Sequence, residues 1–590
     1  MSAVMKNYIG LAVTGHDPAI AIIDKHGQLV FAEAAERRLQ LKRAWGCPPD
    51  HLNYVQDLVE QYCDPSLDTV VGLTWGKGVA FDLSVVLKLI NYKLRSAHPS
   101  GREWLTQMKF ALLAHKAVMD CATSGLQQAF GKTPMKIQRA HFSHHRTHAV
   151  AAAVASPYKE GVCLVMDGGG QASSIAAFDY RDGKLTQIPG VKAFPASLGV
   201  FYSLICDMCG FDSLKGEEWK VMGLAAYGKF DQKLYDLIRP LITVKGLRLK
   251  ASRDTLKIYR KLHDMRRMDG VPALEYADVA ATAQIVFTDI VHQMAKNLYD
   301  LHISENLIFS GGCALNSSAN GTIVENTPFK DVFVGSAPAD DGNAIGAAYG
   351  AYWVDHPTFK RGDGVLTPYL GSSIKASSLA KLRKYGGFRS QELDDVTLVR
   401  TVAQALADGK LVGWAQGRAE FGPRALGNRS ILADPRSKDV KERLNAEVKF
   451  REEFRPFAPS VLHEFGDEYF VNYQFSPYME RTLRFKEAVK AKVPGVVHVD
   501  GTGRLQSVTR KTNPLYYSLI KAFHDITGIP ILLNTSFNVM GKPIIHGVED
   551  AVGVFQCSGL DVLVIDNTVF FKETSYQPAR SMVGEEAMAV

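Results

Sequence analysis

No run of about 18 consecutive apolar residues occurs anywhere in this 590-residue chain, and Met1–Asp17 lacks the charged-then-apolar pattern of a secretory leader. No membrane-spanning helix is expected, and a soluble, cytoplasmic protein is. Cysteine is sparse. The eight thiols (Cys47, Cys63, Cys121, Cys163, Cys206, Cys209, Cys313 and Cys557) follow no framework spacing, which excludes a disulfide scaffold and reads as reduced cysteines. Cys206 and Cys209 form the one C-x-x-C, with no second pair nearby, so core thiols are expected there in place of zinc. The glycine-bearing segment Leu307–Asn316 is neither a Walker A loop nor a Rossmann fingerprint. The formal charge of +7 is small for this length and does not by itself call for nucleic acid. What is present is ordinary folded-protein composition, 46% apolar and 22% charged, in a chain too long for one core. Two or more domains are expected.

Two segments look like variations on one theme. Tyr8–Val13 is an apolar run ending in Gly15-His16-Asp17, followed by a second apolar run, Ala19–Ile23, and a turn at Asp24–Gly27. Val162–Met166 ends in Asp167-Gly168-Gly169-Gly170, followed by Ser173–Phe178 and a turn at Arg181–Gly183. Each reads as strand, polar turn, strand and tight turn. A strand ending in a carboxylate beside bare backbone N–H groups suits a phosphate and its metal. About 150 residues of mainly helical pattern separate the two units, as expected of a two-lobed actin/hexokinase-like α/β fold. A third strand–turn–helix, Leu307–Asn316, carries Gly311 and Gly312, and Ser336–Asn343 leads into a small-residue helix. From Asp355 to Asp394 the pattern turns irregular, with Pro357, Gly362, Gly364, Pro368 and Gly371, which places a domain boundary between units of about 1–360 and 375–590.

Two constellations carry chemistry. His141-Phe142-Ser143-His144-His145-Arg146-Thr147-His148 precedes a helical alanine run, and histidines four apart share one helix face. His141 with His145 and His144 with His148 both fit; the second pair lies nearer the helical run. Asp167 and Asp340, at strand ends, would complete a mixed N and O donor set suited to Fe2+, Mn2+ or Zn2+. In the second half, seven arginines fall between Arg418 and Arg455, interrupted by Gly and Pro and mixed with Phe. A solvated basic face is usually rich in lysine at helical spacing. Guanidinium forks match phosphate oxygens in pairs, so a site for small polyanions is expected, with an RNA surface as the competing reading. Ile531–Asn538, an apolar strand ending in small polar donors, would wall such a pocket.

Eight motifs in order resemble the NodU/CmcH carbamoyltransferase family: Gly15-His16-Asp17, His144-His145-x-x-His148, Asp167-Gly-Gly, Lys220-Val-Met-Gly-Leu-Ala-Ala-Tyr-Gly228, Ser310-Gly-Gly-x-Ala-Leu-Asn316, Gly422-Pro-Arg-Ala-Leu-Gly-Asn-Arg-Ser430, Phe454-Arg-Pro-Phe-Ala-Pro459 and Asn534-Thr-Ser-Phe-Asn538. They span nearly the whole chain. The resemblance implies an N-terminal domain like the tRNA threonylcarbamoyl-transfer enzymes, with the actin-like fold, and a C-terminal YrdC-like α/β domain. Carbamoyl phosphate would be cleaved in the second domain, the carbamate adenylated by ATP with Mg2+, and the carbamoyl group passed internally to a hydroxyl acceptor. The resemblance further implies His144, His148, Asp167 and Asp340 as ligands of a divalent metal, Fe2+ first and Mn2+ or Zn2+ after it. Lys449, Arg455, Arg504 and Ser536 would hold the phosphate, with Arg418, Arg424 and Asn534 as neighbours. Gly311, Gly312 and Asn316 would contact the adenylate. His16 would orient or deprotonate the acceptor. The expected partners are carbamoyl phosphate, ATP and a small-molecule hydroxyl, with no nucleic acid and no membrane; a homodimer is compatible with the sequence.

Two alternatives share parts of this pattern. A tRNA threonylcarbamoyladenosine-forming enzyme uses the same domain types, but the chain has no dedicated basic tail. A sugar-kinase-like phosphotransferase would leave the second half without purpose. The acceptor is not legible. Leu73–Ile137 and Phe230–Met268 match no motif and are expected to shape its cleft; the first carries Lys88, Lys93, Arg95, Arg102, Lys109 and Lys116.

Overall fold

A computed structural model describes residues 5–75, 99–131, 136–359 and 364–572. Lys88, Lys93, Arg95 and Gly362 lie outside the described residues.

The first lobe is a five-stranded sheet built from β1 (Asn7–Ala12), β2 (Ala19–Ile23), β3 (Leu29–Ala34), β4 (Thr69–Leu73) and β5 (Ile137–His141), in the order β3-β2-β1-β4-β5. β1 to β3 form an antiparallel meander, with Tyr8 opposite Ile23, while β4 and β5 run parallel to β1. The second lobe repeats this plan with β6 (Glu160–Met166), β7 (Ile175–Arg181) and β8 (Lys184–Gln187). After a small sheet of β9 (Lys192–Ala193), β10 (Ile242–Lys245) and β11 (Arg248–Ala251), it is completed by β12 (Asn306–Ser310) and β13 (Asp331–Val334). Its order, β13-β12-β6-β7-β8, is the first lobe's order again, with the same parallel and antiparallel neighbours. The duplicated unit expected from the sequence is thus present, and the mixed α/β, actin-like arrangement follows from the strand order itself.

β1 and β6 are buried along almost their whole length, which is why they read as near-continuous apolar runs. Two helices fill the space between the sheets. His144–Ala155 lies on β6, β7 and β12, Asn343–Asp355 lies on β1, β2 and β4, and the two pack on each other. Small residues make this possible. A Cβ added to Gly346 would stand 1.9 Å from the carbonyl oxygen of Thr147, so only glycine allows the helices to approach this closely.

The C-terminal region is a nine-stranded sheet: β14 (Arg389–Glu392), β15 (Val412–Ala415), β16 (Arg429–Ala433), β17 (Ala458–Leu462), β18 (Arg481–Arg484), β19 (Thr502–Val508), β20 (Ile531–Ser536), β21 (Val562–Ile565) and β22 (Thr568–Phe571). Their order is β14-β22-β21-β15-β16-β20-β17-β19-β18. Helices Asp395–Ala407 and Pro514–Thr527 pack together and cover it, the first capped by the Asp394 carboxylate, the second opened by Pro514 behind an Asn513 cap. Within the irregular stretch from Asp355 to Asp394 the chain forms a helix, Ala376–Tyr385, and the edge strand β14, whose residues are all exposed and so carry no apolar alternation.

The two halves share a core. Leu370, Phe421, Leu426, Ala458 and Tyr478 join the apolar cluster around the helix Asn343–Asp355. Buried Glu33 accepts from Arg38 Nε at 2.7 Å and from the Ser372 backbone N–H at 2.7 Å. No helix among the described residues is long and apolar enough to cross a membrane. Cys206 and Cys209, in and just after the helix Leu198–Met208, are buried core thiols whose burial pushes their pKa up.

Candidate active site

His144 begins its helix and His148 lies one turn further on. Asp167 follows the last residue of β6, and Asp340 opens the turn before the helix Asn343–Asp355. The packed helices therefore bring four side chains from three chain segments to one buried point. His144 Nε2 lies 2.8 Å from Asp167 Oδ2 and 3.5 Å from Asp340 Oδ1. His148 Nε2 lies 3.2 Å from Asp340 Oδ1 and 3.5 Å from Asp167 Oδ2. One donor atom from each of the four falls within 4.8 Å of all the others. Asn343 Nδ2 also reaches His148 Nε2, at 3.0 Å. Burial opposes charge on His148, but hydrogen bonds to Asp167 and Asp340 win and push its imidazole up to about 9. Burial likewise opposes ionisation of Asp167, yet bonds from both histidines hold its carboxyl well below the usual range.

The spacing left two histidine pairs open, and the geometry separates them. His141 ends β5 with Nδ1 2.9 Å from the Trp75 carbonyl oxygen. His145 faces Gly170, where an added Cβ would stand 2.6 Å from its ring, and burial lowers its pKa to about 3.

The glycine turn after β12 serves the cluster. Gly311 adopts φ +90°, and a Cβ there would meet the Met166 carbonyl oxygen at 2.2 Å. The Gly312 N–H donates to Asp167 Oδ1 at 3.1 Å. The Asn316 side chain accepts from Ala319 N–H at 3.0 Å and donates to Gln284 Oε1 at 3.0 Å. Gly312 and Asn316, expected to touch an adenylate, are thus engaged in fixing Asp167 and starting the next helix.

His16 borders the cluster, Nδ1 3.8 Å from Asp340 Oδ2, 2.8 Å from Asp17 Oδ2 and 2.9 Å from Arg43 Nη2. An aromatic wall continues outward. The His16 ring meets Trp45 at 5.0 Å, and Trp45 meets half-exposed Phe110 at 5.2 Å. Trp75 stacks on His144 at 4.6 Å and meets His115 at 4.8 Å.

A second site lies in the C-terminal sheet. Buried Lys449 donates to the Ser536 carbonyl, to the Asn538 carbonyl at 3.1 Å and to Asn538 Oδ1 at 2.9 Å, and no carboxylate pairs with it among the described residues. Burial, then the charges of Arg451 and Arg455, hold its ammonium well below the usual range. Burial, then Arg504, does the same to Arg424, and burial, then Arg455, to Arg451. Burial alone lowers Arg504 to about 10. Arg451 Nη2, Arg455 Nε and Arg504 Nε are buried with no hydrogen-bond partner. Buried Lys449 and four partly buried arginines lie close together, with Glu452 bonded to Arg455 at 3.1 Å, and amount to an unfilled demand for negative charge among the described residues.

Not every arginine of the tract joins them. Arg418 is spent on backbone: Nε on the Gly371 carbonyl at 3.0 Å, Nη2 on the carbonyls of Val30, at 2.8 Å, and Leu370. These bonds make it a clip between the two halves. Asn534 lies buried beneath the Arg424 loop, donating to Ser460 Oγ at 3.0 Å and Gln506 Oε1 at 3.1 Å. Sequence reasoning passed over Arg451, whose guanidinium stacks on Phe457 at 4.5 Å while Nε donates to Asn445 Oδ1 at 2.8 Å. Its place beside Phe450 within the arginine tract was the one signal for it.

Fold and sites together define a two-lobed α/β enzyme with a buried His/Asp cluster in its first part and a buried cation pocket in its second. The chain belongs to the carbamoyltransferase family: the family's N-terminus matches residues 7–349 and its C-terminus residues 403–572. An uncharacterized protein of Synechocystis sp. is 33% identical over 98% of both chains. Nodulation protein NolNO of Sinorhizobium fredii is 32% identical over 98% of this chain and 82% of its own, and nodulation protein NolO of Bradyrhizobium diazoefficiens is 38% identical over 72% and 77%. Among solved structures, full-length HypF in the phosphate- and nucleotide-bound form aligns over 61% of this chain and 57% of its own, with 12% identity and a TM-score of 0.32, a likeness too slight to argue from.

Proposed function

We propose that this carbamoyltransferase is ATP-dependent and works in two pockets. Carbamoyl phosphate binds at Lys449, Arg455, Arg504 and Ser536 in a YrdC-like C-terminal domain, where water attacks and phosphate leaves, giving carbamate. The carbamate oxygen attacks the α-phosphorus of ATP, held with Mg2+ nearby and with Arg424 adjacent, and pyrophosphate departs. The carbamoyl-adenylate then moves inside the protein to the first domain, where an acceptor hydroxyl attacks the carbamoyl carbon and AMP leaves. The cation cluster carries this reading, because its positive charge outnumbers the one carboxylate bonded to it, Glu452, and a phosphate would supply the missing negative charge. Enclosure protects carbamate from water.

The His/Asp cluster fits a divalent ion. Two buried carboxylates converge on two imidazole nitrogens, and such a site needs either protonated histidines or a cation to offset it. His144, His148, Asp167 and Asp340 would hold the ion, Fe2+ first as the family resemblance implies and Mn2+ or Zn2+ after it. When bound, it supplies positive charge against the charge that develops on the carbamoyl oxygen. His16, with Asp17 fixing its Nδ1 side, orients the acceptor hydroxyl or takes its proton, and the Trp45–Phe110 wall limits which acceptors approach. The acceptor is a small molecule with a free hydroxyl.

Nucleotide products test the scheme. With carbamoyl phosphate, ATP and a panel of hydroxyl acceptors, AMP and pyrophosphate should form together. ADP as the sole nucleotide product would overturn the adenylate route.

A further inference from the structure

The segment Lys220–Gly228 has no part in the chemistry so far, yet its helix, Glu218–Ala225, reaches from the first domain to the cation pocket of the second. The Arg455 guanidinium lies over the Trp219 ring at 4.0 Å, and Lys42 Nζ stands 5.7 Å from the same ring. Lys220 Nζ bridges Glu217 Oε1, at 2.9 Å, and Glu452 Oε1, at 3.0 Å. The other oxygen of Glu452 accepts from Arg455 Nη1 at 3.1 Å. Between these polar ties, Phe454 is buried in the second lobe's core, 6.1 Å from Phe211, and a Cβ on Gly223 would stand 3.3 Å from Pro456 Cδ. Arg455 is thus pinned on its face by an indole and at one nitrogen by a carboxylate that the first domain also holds. Its Nε is buried with no protein partner.

We infer that Trp219 and Lys220 are positioning residues, which aim Arg455 into the phosphate pocket from the other domain. A guanidinium's donors are useful only in a fixed plane, and a ring beneath it sets that plane without competing for its N–H groups. Arg455 would otherwise sweep several rotamers, and the phosphate would have to order it on binding. Carbamoyl phosphate use therefore depends on Trp219 and Lys220 of the N-terminal domain. This rests on the proposal that Arg455 holds carbamoyl phosphate, and the test separates the two.

Pyrophosphate release by the full chain is measured against carbamoyl phosphate and against ATP for Trp219→Leu, Trp219→Phe, Lys220→Met and Arg455→Ala. Trp219→Leu keeps apolar volume but removes the ring, and should raise KM for carbamoyl phosphate about tenfold with KM for ATP unchanged. Trp219→Phe should restore most of this, and Lys220→Met should show a smaller rise. If Arg455→Ala raises KM while both Trp219 variants leave it unchanged, the inference fails, whatever happens to their melting temperatures. If Arg455→Ala itself leaves KM unchanged, the pocket assignment fails and takes the inference with it.

Discussion

His148 Nε2 and Asp340 Oδ1 stand 3.2 Å apart although 192 positions separate them in the chain. The contact exists because the helices that carry or follow them cross where Gly346 meets Thr147. Gly346→Ala should therefore cost about 3 kcal/mol of stability through overpacking, and should weaken metal binding without touching a ligand. Urea midpoints and metal content of the purified variant check this. Unchanged metal content would disconnect the crossing from the cluster.

Asp340→Asn keeps the shape of the cluster and removes one charge. Metal affinity should fall at least a hundredfold, more than is typical for loss of an outer-shell partner. Competition against a chelator of known affinity gives the number, and equal affinities would remove Asp340 from the ligand set.

Lys449 is buried and faces no carboxylate among the described residues, so it is held at a cost to the fold. Lys449→Met should leave stability unchanged or raise it by about 1 kcal/mol, while abolishing stabilisation by inorganic phosphate. In the wild type that stabilisation should reach about 3 kcal/mol at a hundredfold excess over Kd. A variant that still melts higher in phosphate would show that the anion binds elsewhere.

Glu452 is lowered to about 2: burial opposes its charge, but hydrogen bonds from its own backbone, Lys220 and Arg455 prevail. A carboxyl depressed in the folded state adds stability above its ordinary value, near 4.5, and loses it as pH falls toward 2. The group is partly exposed, so the effect stays under about 1 kcal/mol. Wild type and Glu452→Gln should differ most in urea midpoint at pH 5.5, with the gap closing as pH falls toward 2. A constant gap would mean that charge is not what Glu452 contributes.

Much of this was legible in the sequence, for reasons that can be named. The repeated strand–turn–strand units could be read because both faces of β1 and β6 are buried and the turns need Asp and Gly. Spacing placed four candidate histidines on helix faces but could not choose among them. The choice lies in where β5 ends, since His141 belongs to that strand and His144 to the helix. The arginine tract announced an anion site, yet arginines that bind carbonyls look the same in one dimension as arginines that line a pocket. Arg418 and buried Arg429, which donates to the carbonyls of Gln416 and Asn428 at 2.7 and 2.9 Å, are of the first kind, and Arg451 is of the second. Trp219 was invisible for another reason: its partner, Arg455, is brought to it by packing between domains, and no local pattern records that.

The most direct test separates the two pockets. Lys449→Met and His148→Ala are each assayed for pyrophosphate release from ATP with carbamoyl phosphate, and for acceptor-dependent AMP release from supplied carbamoyl-adenylate. Lys449→Met should lose the first activity and keep the second, and His148→Ala should keep the first and lose the second. Equal loss of both activities in both variants would contradict the division of labour.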